Sequence, residues 1–506
     1  YICAGFSYME LSRTGEPTSR DKTIYFYTKV LSYRDQIEFF ESAASRDYIF
    51  IAYYNLIRVA PGLGILDIET AYRLWEELCQ IRTMPKFCQY DTTNPRIPQL
   101  CDRAINDFRA YGAVLNVERV IAPSAILSSL ENMTQIYYSE ILHEHGSIYE
   151  CPVFTVFNYH YVQARNGTIT WEAAWQILDD YYVHKMQTIG QVSSPDLLAF
   201  YTNLPLNLID VLGHTHFKEE FKQATYRRYR NLITSYLMNQ PASLNSYTLN
   251  NGVQLVAFHP LILGTFQNRM EKMNFIVDLV VTRHLTTFTH SVMVSYLAEA
   301  IGKHILAARP ELLRIPSSYL EGNVYASPAE VLDYIVPAAL FHDIGKNGMI
   351  PIINTQHRKL NDYEFNIIQT HPQKGSDYLS SDPDFLIYQP VALGHHRSYD
   401  GTRGYPLSFD NTASPYRDAI DLIHICDCLD AATDYLSRNY HRAKPFDVVL
   451  NELKAGRGTE YNPDMVDVIL SDRELYNDLK MLTEQNRENI YYDIYLTFVN
   501  LRKKRQ

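Results

Sequence analysis

One stretch of the sequence, from His342 to Pro406, constrains the chain more than any other. Short motifs rich in imidazole and carboxylate groups recur along it, in a mostly apolar setting with helical spacing. They are Phe341-His342-Asp343-Ile344-Gly345-Lys346, Thr370-His371-Pro372, and His395-His396 followed by Asp400-Gly401 and Gly404-Tyr405-Pro406. A single histidine on an apolar face is usually a hydrogen-bonded core residue. Several titratable groups converging on one apolar region indicate a functional site instead.

The residue types in this stretch are those of a metal site. Neutral imidazole and carboxylate, without thiolate, suit Mn, Fe or Zn. His342 and Asp343 lie on one helical turn, so a cation held by the histidine is within reach of the carboxylate, whose second oxygen can reach another cation. Such a binuclear site keeps positions open for water and substrate oxygens. The candidate ligands from the whole chain number seven: His290, His342, Asp343, His371, His395, His396 and Asp427.

In this order and spacing, the motifs resemble those of the HD-GYP family of cyclic-dinucleotide phosphodiesterases. The resemblance covers roughly residues 275 to 470. A bare His-Asp pair or a lone Gly-Tyr-Pro would be a weak signal, whereas the ordered set is specific. Beyond the candidate ligands, the matching segments include Leu360-Asn361-Asp362-Tyr363-Glu364, Asp427-Cys428-Leu429-Asp430-Ala431-Ala432 and Gly458-Thr459-Glu460-Tyr461-Asn462-Pro463.

The resemblance implies a metal-dependent phosphodiesterase that hydrolyses a cyclic dinucleotide. The expected substrate is 3′,5′-cyclic di-GMP, and the products are the linear dinucleotide or GMP. Members with three metals carry a carboxylate one helical turn before the first histidine, where this chain has Thr286, so two divalent cations are expected, with Fe or Mn favoured. One cation would be held by His290, His342, Asp343 and Asp427, and the other by His371, His395, His396 and Asp343.

Two residues are the predicted catalytic groups, Asp343 and Lys346. Asp343 would bridge the cations and orient the attacking water, and Lys346 would stabilise the extra negative charge on the phosphoryl oxygens. The substrate contacts that the resemblance implies are Lys346, Gly404, Tyr405, Pro406, Arg438 and Arg442.

The chain departs from the family pattern around the histidine pair. The family usually has Glu directly after that pair, where this chain has Arg397, and Arg403 is an extra residue before Gly404. These differences leave two alternatives open. The first is hydrolysis of another phosphoester, such as cyclic GMP-AMP or a nucleotide. The second is a catalytically inactive module that senses the dinucleotide, although the retention of all the candidate ligands weighs against it.

Composition limits the partners and the compartment. The formal net charge of −11 argues against a nucleic-acid polymer, which would need a basic face. The seven cysteines form no Cys-x-x-Cys pair, as expected for a reducing cytoplasm. No apolar run reaches the length of a membrane span. Because the sequence begins with Tyr1 and not Met, an upstream anchor or sensor stays open.

The expected fold is all-α, with a C-terminal HD-type helical bundle preceded by a mostly helical N-terminal region. The predicted divisions are 1-255 as an input, regulatory or scaffold region, 256-470 as the catalytic domain, and 471-506 as closing helices. A role of the first region in forming a homodimer stays open. Local patterns predict helices over 69–81 and after Thr170, and Ser327 opens a predicted capping box with Glu330.

Overall fold

The structure, a computed structural model, describes residues 1–12, 18–39, 43–88, 95–112, 124–188, 197, 199–240, 247–281, 285–317, 325–349, 360–436 and 443–503. The chain divides into two compact units, Tyr1–Thr225 and Tyr226–Gln506. Within the described ranges the regular structure is helical and only isolated β-bridges occur. The predicted all-α class is therefore confirmed. The functional division at residues 255 and 470 stays a prediction.

The first unit consists of helices joined by turns. Its α-helices are Ile2–Ser12, Ser19–Leu31, Ala43–Tyr54, Ala60–Gly62, Ile68–Thr83, Pro85–Cys88, Arg96–Tyr111, Ser124–His145, Val153–Arg165, Trp171–Thr188, Leu204–Gly213 and the start of Glu219–Asn239. Arg34–Phe39 and Ile148–Glu150 are 3₁₀-helices, and Asn55–Val59 and Ala199–Asn203 are π-helical.

Aromatic and aliphatic side chains of the helices form the core of the first unit. The helix that begins after Thr170 is confirmed, and the Thr170 hydroxyl oxygen accepts a hydrogen bond from the Ala173 amide at 3.1 Å. Leu178 and Tyr182 on this helix are buried. The ring of His214 stacks on Trp171, with 4.5 Å between the ring centroids.

The second unit holds the predicted motifs. Its α-helices are the remainder of Glu219–Asn239 and Tyr247–Ala257, Pro260–Leu263, Arg269–Val281, Leu285–Ala308, Pro328–Phe341, Asp362–Ile368, His371–Leu379, Gln389–Gly394, Arg417–Thr433, Phe446–Ala455, Pro463–Ser471, Arg473–Lys480 and Arg487–Lys503. Pro310–Leu312, Ile344–Gly348 and Pro383–Tyr388 are 3₁₀-helices, and Met481–Gln485 is π-helical.

Two helices of the second unit cross closely and carry the first motif residues. The His290 helix is Leu285–Ala308, and the His342 helix is Pro328–Phe341. The predicted capping box is confirmed, because the Ser327 hydroxyl accepts from the Glu330 amide while the Glu330 carboxylate accepts from the Ser327 amide. This cap fixes where the His342 helix begins, and His342 follows its last residue.

Segments nearer the C-terminus also pack against the His290 helix. The Asp427 helix, Arg417–Thr433, is buried along most of its length. The C-terminal helix, Arg487–Lys503, places Ile490 and Ile494 against Met293 of the His290 helix. None of the described helices is both long enough and apolar enough to cross a membrane.

Candidate metal centre

The structure brings all the predicted metal ligands together in one place, the His/Asp cluster. Within each of two groups, the ligand atoms, one from each residue, lie within 4.8 Å of one another. The first group is Asp343, His371, His395 and His396, and the second is His290, His342 and Asp427. These residues come from five different segments of the chain, so the fold has gathered them. Their role as ligands stays a prediction.

Asp343 lies between the two groups. Its Oδ1 is 3.1 Å from Nε2 of His371 and 3.7 Å from Nε2 of His395. Its Oδ2 is 3.6 Å from Nε2 of both His290 and His342. Each carboxylate oxygen therefore faces one group, which is the arrangement that a carboxylate bridging two cations requires.

Hydrogen bonds to backbone carbonyls fix the tautomers of three imidazoles. Nδ1 of His342 donates to Ala339 O at 2.6 Å, and Nδ1 of His371 donates to Ile368 O at 2.7 Å. Nδ1 of His395 donates to Ala392 O at 2.9 Å. Because a carbonyl oxygen can only accept, the proton of each neutral ring is on Nδ1, and Nε2 presents a lone pair to the cluster.

Those lone pairs face other acceptors. Nε2 of His371 is 3.2 Å from Nε2 of His395 and 3.1 Å from Oδ1 of Asp343. Nε2 of His342 is buried and has no hydrogen-bond partner. Buried acceptors that point at one another are repulsive unless a proton or a cation lies between them. The donor set and its geometry therefore fit a divalent cation.

The electrostatics of the cluster favour the metal-binding protonation states. Burial lowers the pKa of His342 to about 3 and that of His371 to about 4, so both rings are neutral at pH 7. Burial opposes ionisation of Asp343, but the Lys346 ammonium holds its pKa well below the usual value. His342 and His371 thus present neutral imidazoles, and Asp343 presents an ionised carboxylate.

His290 is oriented by two carboxylates. Its Nδ1 donates to Oδ2 of Asp430 at 2.6 Å, and its Nε2 lies 3.0 Å from Oδ1 of Asp427. Burial lowers the pKa of His290, but the two carboxylates outweigh it and raise the pKa to about 9. A metal bound here would therefore displace a proton from the imidazolium. Asp430 holds the ring as the outer carboxylate partner of a metal-bound histidine does.

The loop after the histidine pair folds back over His396. Gly404 has a φ of +86°, and a Cβ there would lie 1.9 Å from His396 O, so only glycine fits. The ring of Tyr405 then lies over the ring of His396, with 4.5 Å between the centroids. Pro406 follows at the rim and is half-buried. The predicted Gly-Tyr-Pro segment thus borders the cluster on its more open side.

Access to the cluster is one-sided. The side chains of His396 and Lys346 are 19% and 21% exposed, whereas those of His342 and His371 are fully buried. Lys346 Nζ lies 2.5 Å from Oδ2 of Asp343. Among the described residues, the exposed edge of the cluster lies at His396 and Lys346, beside the predicted substrate contact Tyr405. The other predicted contacts, Arg438 and Arg442, lie outside the described residues.

Three supporting residues were not singled out from the sequence. They are Asp430, which accepts a hydrogen bond from His290, Arg487, which pairs with Asp430, and His424. Nδ1 of His424 donates to His395 O at 2.6 Å, and its Nε2 is 3.3 Å from Oε1 of Glu460. His424 and Asp430 precede and follow Asp427 by three positions, so a search for polar residues one helical turn from a ligand would have found both.

The comparisons with known proteins agree with this geometry. Residues 287–439 match the family model described as HD domain. The chain is 26% identical over 303 residues to a cyclic di-GMP phosphodiesterase of Vibrio cholerae serotype O1, covering 54% of this chain and 60% of that protein. It is 33% identical over 146 residues to the cyclic di-GMP phosphodiesterase response regulator RpfG of Xanthomonas campestris pv. campestris, covering 28% and 37%.

A third relative carries a different substrate in its name. The chain is 25% identical over 203 residues to the 3′3′-cGAMP-specific phosphodiesterase 2 of Vibrio cholerae serotype O1, covering 40% of this chain and 37% of that protein. The chain thus spans less than two thirds of each of these relatives. The matched region 287–439 contains the whole His/Asp cluster, and this part of the chain is an HD domain of the HD-GYP type.

Proposed function

We propose that this protein is a metal-dependent phosphodiesterase that hydrolyses a cyclic dinucleotide, with 3′,5′-cyclic di-GMP as its substrate. The observation that carries the proposal is the position of Asp343, whose two oxygens face two separate groups of imidazole and carboxylate side chains. The names of the relatives and the Gly-Tyr-Pro loop beside His396 support the substrate class.

The first group of the cluster would hold one divalent cation, and the second group together with Asp343 would hold another, with Fe or Mn favoured for this donor set. When bound, such cations lower the pKa of water towards neutrality and stabilise charge on phosphoryl oxygens. Asp343 is ionised, so its oxygens can orient the attacking water, and the Lys346 ammonium beside it adds positive charge where the phosphate arrives. Tyr405 offers a ring at the open side for contact with a purine.

The direct test is to purify the chain with Mn²⁺ or Fe²⁺, supply labelled cyclic di-GMP, and identify the products. We expect linear dinucleotide or GMP from the wild type. We expect Asp343→Asn to lower turnover by more than about 100-fold, because even outer partners of a metal site are worth about 10- to 100-fold. Glu299→Gln is a suitable control, since Glu299 is in the same unit and forms an exposed pair with Lys303.

Two alternatives are separated by the same experiment. Preferential hydrolysis of 3′3′-cyclic GMP-AMP, offered in parallel, would favour the first; the name of one relative and the departures at Arg397 and Arg403 motivate it. Full metal loading without turnover of either dinucleotide, together with saturable binding of one of them, would favour a sensing module and contradict the enzymatic proposal.

A further inference from the structure

Arg487, the first residue of the C-terminal helix, is fully buried. Nη1 of its guanidinium lies 2.8 Å from Oδ1 of Asp430 and 3.6 Å from Oδ1 of Asp434. Burying a guanidinium costs several kcal/mol unless carboxylates and hydrogen bonds compensate it. Arg487 also lies outside the segment that matches the HD domain. The burial of its charge therefore needs an explanation.

The Asp430 carboxylate links Arg487 to His290, because each of its two oxygens faces one of these residues. Oδ1 of this carboxylate faces Arg487, while Oδ2 accepts from Nδ1 of His290 at 2.6 Å. The other ring nitrogen of His290 lies in the His/Asp cluster, 3.0 Å from Oδ1 of Asp427. An ion pair between Arg487 and Asp430, followed by a charged hydrogen bond from His290 to Asp430, thus connects the C-terminal helix with a predicted metal ligand.

The guanidinium itself has little freedom. Nε donates to Thr483 O at 3.0 Å, and Nη2 donates to Oγ1 of Thr433 at 2.8 Å. On the next turns of the same helix, Ile490 and Ile494 pack against Met293, which follows His290 by one turn. The C-terminal helix therefore contacts the His290 helix through apolar side chains and meets the hydrogen-bond partner of His290, Asp430, through Arg487.

We propose that Arg487 is a positioning residue of the metal centre, which fixes the Asp430 carboxylate so that it holds His290 with Nε2 directed at the metal. The inference rests on the metal centre of the proposed function. It adds a residue of the C-terminal helix to those that support this centre. Removing the guanidinium leaves a buried carboxylate without its cation, and Asp430 then loses the restraint that orients it.

The test is equilibrium binding of Mn²⁺ to the metal-free full chain, with thermal unfolding and the kinetics of cyclic di-GMP hydrolysis measured beside it. We expect Asp430→Asn to weaken Mn²⁺ binding about 10- to 100-fold and Arg487→Met about tenfold. Arg487→Lys keeps a cation and should restore part of the loss. In the double variant, Arg487→Met should add nothing to Asp430→Asn, because both act through the same carboxylate.

Lys272→Met is the matched control. Lys272 is also largely buried against two carboxylates, 2.8 Å from Asp382 and 2.7 Å from Asp384, but neither belongs to the His/Asp cluster. It should lower the unfolding temperature and leave Mn²⁺ affinity unchanged. The inference is overturned if Arg487→Met binds Mn²⁺ like the wild type, or if its effect adds in full to that of Asp430→Asn. Absence of hydrolysis by the wild type would instead contradict the proposed function, because the Mn²⁺ measurement does not depend on turnover.

Discussion

Arg397 occupies the position directly after the histidine pair, where the family usually has Glu. The structure accommodates the change of charge with carbonyl groups: the side chain is buried, and its guanidinium donates to Gly404 O at 3.2 Å and to Gly401 O. Arg397 thereby ties the two glycines of the loop that carries Tyr405. In this chain the loop is therefore fixed by hydrogen bonds from Arg397 to backbone carbonyl groups.

We therefore expect Arg397→Glu to damage the protein, although it restores the residue usual in the family. The new carboxylate would face two carbonyl oxygens without a donor, which should lower the free energy of unfolding by about 2 kcal/mol or more and raise KM for the dinucleotide. Arg397→Gln is the neutral control and should be milder in both. Chemical denaturation and steady-state kinetics measure the two effects. A variant with Glu that equals the wild type in both would show that these hydrogen bonds are unimportant.

Asp421, on the Asp427 helix, gives the second unit a pH dependence of its own. Burial raises the pKa of its carboxyl group from 3.8 to about 7, although Asn462 donates to it at 3.1 Å. The pKa in the folded state is higher than in the unfolded state. Its contribution to stability is therefore complete below pH 4 and is lost as the pH rises through 7.

Between pH 5 and pH 8 this carboxyl group should cost the wild type about 3 kcal/mol of unfolding free energy. Asp421→Asn cannot ionise, so the stability of the variant relative to the wild type should rise by about that amount over the same range. Urea unfolding of both metal-free proteins at several pH values gives the difference in their unfolding free energies. Titrating groups common to both proteins do not contribute to this difference. A difference that does not change with pH would rule out this role of Asp421.

At the scale of elements, the cluster depends on a close approach of two backbones. The 3₁₀-helix Ile344–Gly348 packs against the helix His371–Leu379, and a Cβ on Gly345 would lie 2.0 Å from His371 O and 2.6 Å from Gly375 N. Gly345→Ala should therefore push His371 away from Asp343. Overpacking of this kind costs about 1–3 kcal/mol, and here it should also abolish Mn²⁺ binding by the first group.

Gly302→Ala provides the control for that prediction. A Cβ on Gly302 would lie 2.5 Å from Cδ1 of Ile335, which is the end of a flexible side chain that can turn aside. Both variants should lower the unfolding temperature, but Gly302→Ala should keep its Mn²⁺ affinity, as measured by titration. Equal Mn²⁺ affinities of the two variants would contradict the link between this backbone contact and the metal centre.

Local patterns predict elements well because their causes are local. The capping box at Ser327 depends on residues three positions apart, and its structure follows from them. The convergence of the predicted metal ligands was also predictable, since it follows from motifs in a fixed order, while their role as ligands stays a prediction. The pairing of Asp430 with Arg487 was not, because nothing in either sequence neighbourhood indicates which buried cation meets which carboxylate. Basic residues are usually exposed, so the sequence alone predicts a solvated side chain at Arg487, whereas packing places it in the core.

The whole molecule consists of two compact units, and only the second contains the His/Asp cluster. A ligand that binds the folded state alone stabilises it by about 2.7 kcal/mol at a concentration 100 times its Kd. Cation binding to the His/Asp cluster should stabilise the folded state in this way, because without cations the cluster buries mutually repulsive acceptors. Metal should therefore act strongly on the stability of the second unit.

Calorimetry of the full chain should show two unfolding transitions, and Mn²⁺ should raise the midpoint temperature of only one of them. Asp343→Asn should abolish the rise, and a chelator should reverse it in the wild type. Limited proteolysis during heating would assign the metal-sensitive transition, which we expect to belong to Tyr226–Gln506. If Mn²⁺ raises both transitions together, the two units unfold as one, and the first unit is energetically coupled to the metal centre. That result would contradict independent units and support a regulatory role of the N-terminal region, since coupling of this kind acts in both directions.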